Sequence, residues 1–208
     1  MTSDSSVASF LFANAAFDLV AIATSAGGLH ALEVILTDLP KDFPAAIAIV
    51  QHLSPESPGL LAGILNRHTP LLVKQAMADD RLQAGMVYVA PPDRHLLINA
   101  SGIIKLAQTK RVNFARPSAD VLFTSVAQSF RQRAIAVILT GRGRDGATGI
   151  QQIKQLGGTT IAQDQTTAEF FDMPRAAIQT LAVDFVLPLA EIAPMLVKLV
   201  WKDKPSCD

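Results

Sequence analysis

Hydrophobic runs alternate with amphipathic stretches along most of this 208-residue chain. Short uncharged apolar runs are typical of strands buried on both faces, and apolar residues at i, i+3, i+4 and i+7 are typical of helices that pack on such strands. The apolar runs predict strands at 19–24, 45–51, 73–76, 86–90, 134–140, 159–163 and 185–187. The helical spacing, helped by a candidate N-cap at Ser118, predicts helices at 29–39, 60–66, 118–131, 146–155, from about 174, and at 190–201.

Strands that alternate with helices indicate an α/β fold of three layers, in which a doubly wound, mostly parallel sheet has helices on both faces. Two further short strands, at 95–99 and 103–107, flank Ala100-Ser101-Gly102 and predict an antiparallel hairpin near one edge of the sheet. We expect one domain over 18–201, with an N-terminal tail at 1–17 and a C-terminal tail at 202–208.

The composition excludes several classes of protein. Hydrophobic residues make up 50% of the chain and charged residues 17%, which is typical of a folded globular domain. Lys and Arg together number 18, as do Asp and Glu, so the balance does not indicate a nucleic-acid partner. Cys207 is the single cysteine and the four histidines lack metal-ligand spacing, so we expect no metal and no cofactor. No run reaches the roughly 20 apolar residues that span a bilayer, and we expect a cytoplasmic protein without membrane insertion.

Three polar residues follow buried strands of the predicted sheet. Ser25 comes after the first strand, His52 after the second, and Asp145 lies in the glycine-rich loop after 134–140. Ligands of parallel sheets bind beyond the carboxyl ends of the strands, so these side chains are expected at one edge. An imidazole that accepts the proton of a serine hydroxyl, and a carboxylate that orients the imidazole, are the groups of nucleophilic acyl transfer. The sequence therefore predicts a serine hydrolase site.

Each of the three residues also has an ordinary structural interpretation. A serine just before two glycines suits a structural or phosphate-binding turn, His52 suits a polar sheet end, and Asp145 before Gly146 suits a turn or a helix N-cap. The hypothesis of nucleotide binding at 25–28 has less support, because the segment has neither a Walker lysine nor a complete G-x-G-x-x-G. The coincidence of all three residues at strand ends favours the hydrolase.

Six segments, in order along about residues 18–200, resemble the catalytic domain of the chemotaxis protein-glutamate methylesterases, the CheB family. They are VAIATSAGGL at 20–29, VQHL at 50–53, VYVAP at 87–91, RPSADVLF at 116–123, ILTGRGRDG at 138–146 and Met173-Pro174. The resemblance implies that Ser25 is the nucleophile, His52 the general base and Asp145 the residue that orients His52.

The resemblance also implies the reaction and the partners. Members of the family hydrolyse glutamate γ-methyl esters on the cytoplasmic helices of chemoreceptors, and some also deamidate receptor glutamine; no cofactor is implied. The full-length regulator of the family carries an N-terminal receiver domain. Because only about 17 residues precede the first predicted strand here, a separate receiver domain or regulator is an expected partner.

The loops around the predicted site supply further candidates. The backbone N–H groups of Ala26 and Arg142 are expected to bind an oxyanion. Arg116, Arg144 and Arg175 are candidates for a rim that binds an acidic substrate surface, and the alternative is that they are ordinary surface charges.

Three positions near the site depart from the family pattern. Ala23 and Asp172 stand where the family usually has glycine, and Arg142 stands where it usually has methionine. A positive φ at position 172 would be costly for aspartate. These departures leave a second hypothesis open, namely a binding or regulatory module that keeps the fold and lacks strong catalysis.

Overall fold

The computed structural model describes residues 11–12 and 15–201. Of the predicted tails, residues 1–10, 13–14 and 202–208 lie outside the described residues, whereas residues 11–12 and 15–17 of the N-terminal tail are described. The strands are β1 (Leu19–Thr24), β2 (Ala46–Gln51), β3 (Leu72–Gln75), β4 (Met86–Val89), β5 (His95–Ile98), β6 (Ile104–Ala107), β7 (Ala134–Ile138), β8 (Thr159–Gln163) and β9 (Phe185–Leu187). The helices are α1 (Gly28–Asp38), α2 (Leu61–Leu65), α3 (Ala119–Phe130), α4 (Ala147–Gln155), α5 (Asp172–Ile178) and α6 (Leu189–Val200). In these ranges no helix is long and apolar enough to cross a bilayer.

Seven strands form one parallel sheet in the order β3-β4-β2-β1-β7-β8-β9. From β1 the chain builds one side of the sheet and then returns to place β7 on the other side of β1. Every residue of β1 and β7 is buried, which explains why these strands are continuous apolar runs in the sequence. The predicted fold class is confirmed.

The two faces of the sheet carry side chains of different size. Valine and isoleucine of the strands, such as Ile22 and Ile49, face α1, α2 and α6. Alanine predominates on the opposite face, and this face packs against α3, α4 and α5. Because alanine leaves room above the strands, the large buried rings of Phe123 and Phe130 on α3 fill that layer.

The predicted hairpin forms a separate antiparallel sheet of two strands, β5 and β6. It contacts α3 through β5. It is also fixed to the segment between β3 and β4, where Arg81 bridges Ile103 and the Leu82 N–H donates to the Gly102 carbonyl at 2.8 Å. The hairpin therefore lies near the β3 edge of the large sheet, as predicted.

The start and the end of the described chain pack together. Ala15 is buried and bridges Trp201, and the Ala16 N–H donates to the Val200 carbonyl at 2.8 Å. The Trp201 ring also contacts the ring of Phe43 edge to face, with 6.0 Å between centroids. These contacts fix the position of α6 on the sheet.

Candidate active site

Three strand ends meet around Ser25 because β1 is the central strand. Thr24 pairs with Gln51 in β2, and the His52 N–H donates to the Thr24 carbonyl at 3.0 Å. On the other side, the Ser25 N–H donates to the Thr140 carbonyl at 3.1 Å just beyond β7. The strand order reverses at this point, and ligands of doubly wound sheets bind at such a reversal.

His52 and Asp145 are joined directly, with 2.8 Å between Nε2 and Oδ2. The Asp145 side chain is 3% exposed and the His52 side chain 17% exposed. An ionised carboxylate only accepts hydrogen bonds, so Nε2 carries the hydrogen and Nδ1 remains the basic nitrogen. Ser25 lies on the neighbouring strand end, and among the described residues its Oγ makes no hydrogen bond.

The carboxylate of Asp145 binds the N-terminus of α3. Its Oδ2 accepts the Ala119 N–H at 2.6 Å, and its Oδ1 accepts the Ser118 hydroxyl at 2.8 Å and the Asp120 N–H at 3.2 Å. The first N–H groups and the dipole of a helix favour an anion at this position. Burial raises the pKa of Asp145, but hydrogen bonds from His52, Ser118 and Ala119 outweigh burial and hold that pKa below its ordinary value.

The start of α3 follows the sequence prediction in position and differs from it in the capping group. Ser118 is the N-cap residue, yet its side chain makes no cap hydrogen bond. Its hydroxyl donates to Asp145, and the Asp145 carboxylate satisfies the N–H groups of α3 instead. The structural alternative for Asp145 was a cap on its own following helix, α4; the side chain caps α3, which is distant in sequence.

A second buried carboxylate, Asp120, lies beside the first. Its Oδ1 accepts the Gly149 N–H of α4 at 2.7 Å, and its Oδ2 accepts the Asn113 amide at 2.7 Å. Asn113 also donates to Asp145 Oδ1 at 3.3 Å and so bridges the two carboxylates. Burial raises the pKa of Asp120; the Gly149 N–H lowers it and the charge of Asp145 raises it, and the net pKa is above the ordinary value.

Sequence reasoning missed Asn113, Asp120 and the role of the Ser118 hydroxyl. The only available signal was the position of Ser118 at a predicted helix start. His95 also contacts the residues around Asp145: its Nδ1 accepts the Ser118 N–H at 3.2 Å, and its Nε2 lies 3.0 Å from the Lys110 carbonyl. Within 11–12 and 15–201, no three His, Cys, Asp or Glu side chains are grouped as metal ligands.

The Ser25 loop and the loop after β7 lie against each other. A methyl group on Gly141 would come within 2.8 Å of the Ser25 Cβ, so glycine is required for this approach. Thr140 joins the loops further, because its hydroxyl donates to the Ala26 carbonyl at 3.0 Å. The backbone N–H groups of Ala26 and Arg142 donate to no acceptor among the described residues. Two N–H groups on the two loops flanking Ser25 are therefore free to bind an oxyanion.

The exposed guanidinium of Arg142 covers the ring of Phe170, with 4.5 Å between the guanidinium carbon and the ring centroid. The Phe170 carbonyl accepts the Gly141 N–H at 2.8 Å, which fixes this segment to the active-site loop. The side chain that departs from the family pattern thus contacts an aromatic ring, while the backbone N–H of the same residue has no acceptor among the described residues.

The three rim arginines have different surroundings. Arg116 lies beside His52 on a pocket of about 200 Å³, and its guanidinium donates to Asp93 at 2.6 and 2.9 Å. Those hydrogen bonds lower the pKa of Asp93. Arg175 pairs with Asp172 at 2.5 Å, whereas Arg144 is exposed and forms no ion pair with any described residue. Asp172 begins α5 without a positive φ, so the backbone cost considered for it does not arise.

Comparisons with known proteins agree with this architecture. The CheB methylesterase family model matches residues 20–196. The crystal structure of the Thermotoga maritima CheB methylesterase catalytic domain superposes with a TM-score of 0.86 at 38% identity, covering 88% of this chain and 99% of that one. A relative in Leptospira interrogans is 42% identical over 183 residues, which are 88% of this chain and 95% of that protein.

Two longer relatives carry the same domain. Protein-glutamate methylesterase/protein-glutamine glutaminase 2 of Anaeromyxobacter dehalogenans is 45% identical over 88% of this chain, and protein-glutamate methylesterase FrzG of Myxococcus xanthus is 43% identical over 90% of it. The chain spans about half the length of these two, 53% and 55% respectively. The family indicated by the six sequence segments is confirmed: this chain belongs to the CheB methylesterase family.

Proposed function

We propose that this protein is a protein-glutamate methylesterase that hydrolyses γ-methyl esters of glutamate on chemoreceptors. The observation that carries the proposal is the 2.8 Å pair of His52 and Asp145 on the strand end next to Ser25. Family membership and the names of the relatives support the substrate class. We assign Ser25 as nucleophile, His52 as general base and Asp145 as the group that orients His52, within a catalytic domain at 18–201.

The first half of the reaction transfers the glutamyl group to the enzyme. Ser25 Oγ attacks the ester carbonyl carbon while His52 Nδ1 takes the hydroxyl proton. The carbonyl oxygen becomes an oxyanion, which the N–H groups of Ala26 and Arg142 stabilise. The carbon–oxygen bond to the methoxy group then breaks, and His52 returns the proton so that methanol leaves.

The second half restores the enzyme. Water attacks the Ser25 glutamyl ester while His52 takes one of its protons, and the same two N–H groups bind the second oxyanion. Collapse of this intermediate breaks the bond to Ser25 Oγ, which takes the proton back from His52, and releases the glutamate carboxylic acid, which loses its remaining proton to solvent. Asp145, whose pKa lies below its ordinary value, stays ionised throughout and stabilises the imidazolium of His52.

Deamidation of receptor glutamine fits the same site. A carboxamide passes through the same acyl-enzyme, with ammonia as the leaving group in place of methanol. The name of the Anaeromyxobacter dehalogenans relative includes both a methylesterase and a glutaminase activity. An inactive binding module on this fold is less well supported, because the departing residues Ala23, Arg142 and Asp172 leave the His52–Asp145 pair and the free N–H groups intact.

The substrate is a protein surface in the cytoplasm. The esterified glutamates of receptors lie on cytoplasmic helices, and the pocket of about 200 Å³ beside His52 accommodates a side chain but not a helix. The helix itself must then rest on the rim of the site. Arg144 and Arg116 are proposed members of that rim.

The test is methanol release from methylated receptor helices by wild type, Ser25→Ala and Ser54→Ala. Ser54 is the matched control, because it is an exposed serine two residues beyond His52. We expect Ser25→Ala to lower kcat by at least about 10³-fold, to abolish labelling by a serine-reactive phosphonate and to unfold like wild type. Ser54→Ala should behave as wild type. Equal methanol release by wild type and Ser25→Ala would rule out the assignment of Ser25.

A further inference from the structure

The segment between β6 and α3 forms a tight turn beside the active site. Val112 and Ala115 pair as an antiparallel bridge, with hydrogen bonds of 3.1 and 2.9 Å between their backbones. The two residues between them have positive φ, 48° at Asn113 and 64° at Phe114. Hairpin turns with this geometry favour asparagine and glycine at the central positions. A phenylalanine there is strained, because its side chain is poorly accommodated at positive φ.

Packing within the fold does not stabilise the ring of Phe114 and so does not offset this strain. It is 97% exposed, more than any other large hydrophobic side chain in the described part of the chain. Burial of apolar surface is the main source of stability for an aromatic side chain, and this ring is not buried. Residues in strained conformations cluster at functional sites, where the strain has a use.

The turn is attached to the catalytic carboxylate. Asn113, next to Phe114, donates its amide to Asp120 at 2.7 Å and to Asp145 at 3.3 Å. Phe114 also lines the pocket of about 200 Å³ that contains His52. The turn therefore holds the backbone of Phe114 at a defined position beside the imidazole that acts on the ester.

We propose that Phe114 anchors the protein substrate by packing against an apolar side chain on the helix that carries the methyl ester. The inference rests on the proposed function. A helix too large for the pocket must lie across the rim, where Phe114 is the exposed aromatic group and Arg111 an exposed cation. On such a helix, side chains three or four residues from the ester lie on the same face and reach the ring. Buried aromatic side chains often dominate the binding energy of protein interfaces.

The test removes the ring and the backbone strain together. Phe114→Gly should raise KM for methylated receptor helices on the order of tenfold, without lowering the urea midpoint of unfolding. Phe114→Tyr should keep the wild-type KM. The rate of phosphonate labelling at Ser25 reports on the triad without a docked helix, and we expect Phe114→Gly to label at the wild-type rate.

Leu181→Gly is the matched control. Leu181 is 93% exposed with φ of 59°. It lies in the turn between α5 and β9, at the amino ends of the parallel strands, whereas Ser25 lies at their carboxyl ends. This change relieves the same kind of strain and should leave KM unchanged. The proposal is overturned if Phe114→Gly keeps the wild-type KM, if Leu181→Gly raises KM equally, or if phosphonate labelling of Phe114→Gly slows in parallel with receptor turnover.

Binding separates this inference from the proposed function. In a Ser25→Ala background, affinity for the methylated helices should fall on the order of tenfold when Phe114→Gly is added. If wild type released no methanol while this loss of affinity persisted, the proposed function would fail and the anchor would stand. If the only effect of Phe114→Gly were to abolish self-association, the ring would contact a second copy and the anchor would be wrong.

Discussion

At the scale of single residues, Asp145 combines the contact proposed for catalysis with a structural one. The same carboxylate accepts the His52 Nε2–H and the first N–H groups of α3. The Ser25 hydroxyl, by contrast, has no hydrogen bond among the described residues, so its removal should cost little stability. We therefore expect substitutions of Asp145 to affect both the proposed catalysis and the stability of the fold, and substitutions of Ser25 to affect the proposed catalysis alone.

The stability contributed by Asp145 should depend on pH. Its folded pKa lies below the ordinary value of about 3.9. The ionised form therefore stabilises the fold above that value, and this stability is lost as pH falls through the folded pKa. We expect Asp145→Asn to lower the free energy of unfolding at pH 7 by about 2 kcal/mol, and the difference from wild type to shrink below about pH 4. Urea unfolding at several pH values measures it.

Asp120→Asn is the control for that experiment, because the pKa of Asp120 is raised. The contribution of Asp120 to stability is present below the ordinary pKa and is lost as pH rises through the folded one. The free-energy difference between wild type and Asp120→Asn should therefore change with pH in the opposite direction. A pH-independent difference for Asp145→Asn would contradict the hydrogen-bonded, ionised carboxylate described here.

At the scale of elements, the contact between α3 and α4 positions the N–H groups that bind the Asp145 carboxylate. A methyl group on Gly149 would lie 2.5 Å from the Phe123 Cβ, and the Gly149 N–H binds Asp120 at the start of α3. Glycine in the interior of a helix normally costs stability relative to alanine. Here the close packing of two helices requires it.

Gly149→Ala should thus destabilise the protein by about 1–3 kcal/mol, the usual effect of overpacking a close contact. It should also lower kcat, because separation of α3 from α4 moves the N–H groups that hold Asp145. Urea unfolding and methanol release measure the two effects. Gly63→Ala is the control: Gly63 lies in α2 with no atom within 4 Å of an added Cβ, and it should be neutral or stabilising by up to about 1 kcal/mol. Equal stability of both variants would show that the contact is not tight.

The predicted bounds of strands and helices agree best with the structure where the residues of the element itself set those bounds. β1, β8 and β9 have the predicted bounds, because alternation between buried runs and polar breaks is a local property. β7 ends at Ile138, two residues before the predicted end, since the Thr140 N–H leaves the ladder and donates to the Gln163 side chain at 2.8 Å. α5 begins at Asp172, ahead of the predicted start near Pro174, because the first turn of a helix tolerates proline.

At the scale of the whole molecule, the formal net charge is zero, and the loops around the site carry carboxylates such as Asp93 and Glu169 as well as arginines. Loops at the carboxyl edge of the sheet carry Arg111, Arg116, Arg142 and Arg144 around the site. Asp93 partners Arg116 and an aromatic ring covers Arg142. Arg144 and Arg111 are exposed and form no ion pair with a described residue, so both are available to an acidic surface.

Arg144→Glu should accordingly raise KM for methylated receptor helices several-fold, with a larger effect at low salt, because exposed charges are screened over about 10 Å at 0.1 M salt. Phosphonate labelling at Ser25 should change little. Arg67→Glu is the control, because it makes the same charge change at an exposed residue between α2 and β3, at the amino ends of the strands and away from Ser25. An equal rise of KM in both variants would indicate an effect of net charge alone, and no rise in either would remove Arg144 from the rim.

The sequence by itself determined the parallel sheet, its order of helices and strands, and the three strand ends that carry Ser25, His52 and Asp145. Periodicity and strand-end chemistry are local, so they can be read from neighbouring residues. Only the tertiary structure decided that Asp145 caps α3, that Asn113 bridges Asp145 to Asp120, and that Phe114 stands exposed on a strained turn beside His52. The hydrogen bonds of Asp145 to Ala119 and to Asn113 join residues 26 and 32 positions apart. Packing across the sheet brings these residues together, and the local sequence pattern does not encode that packing.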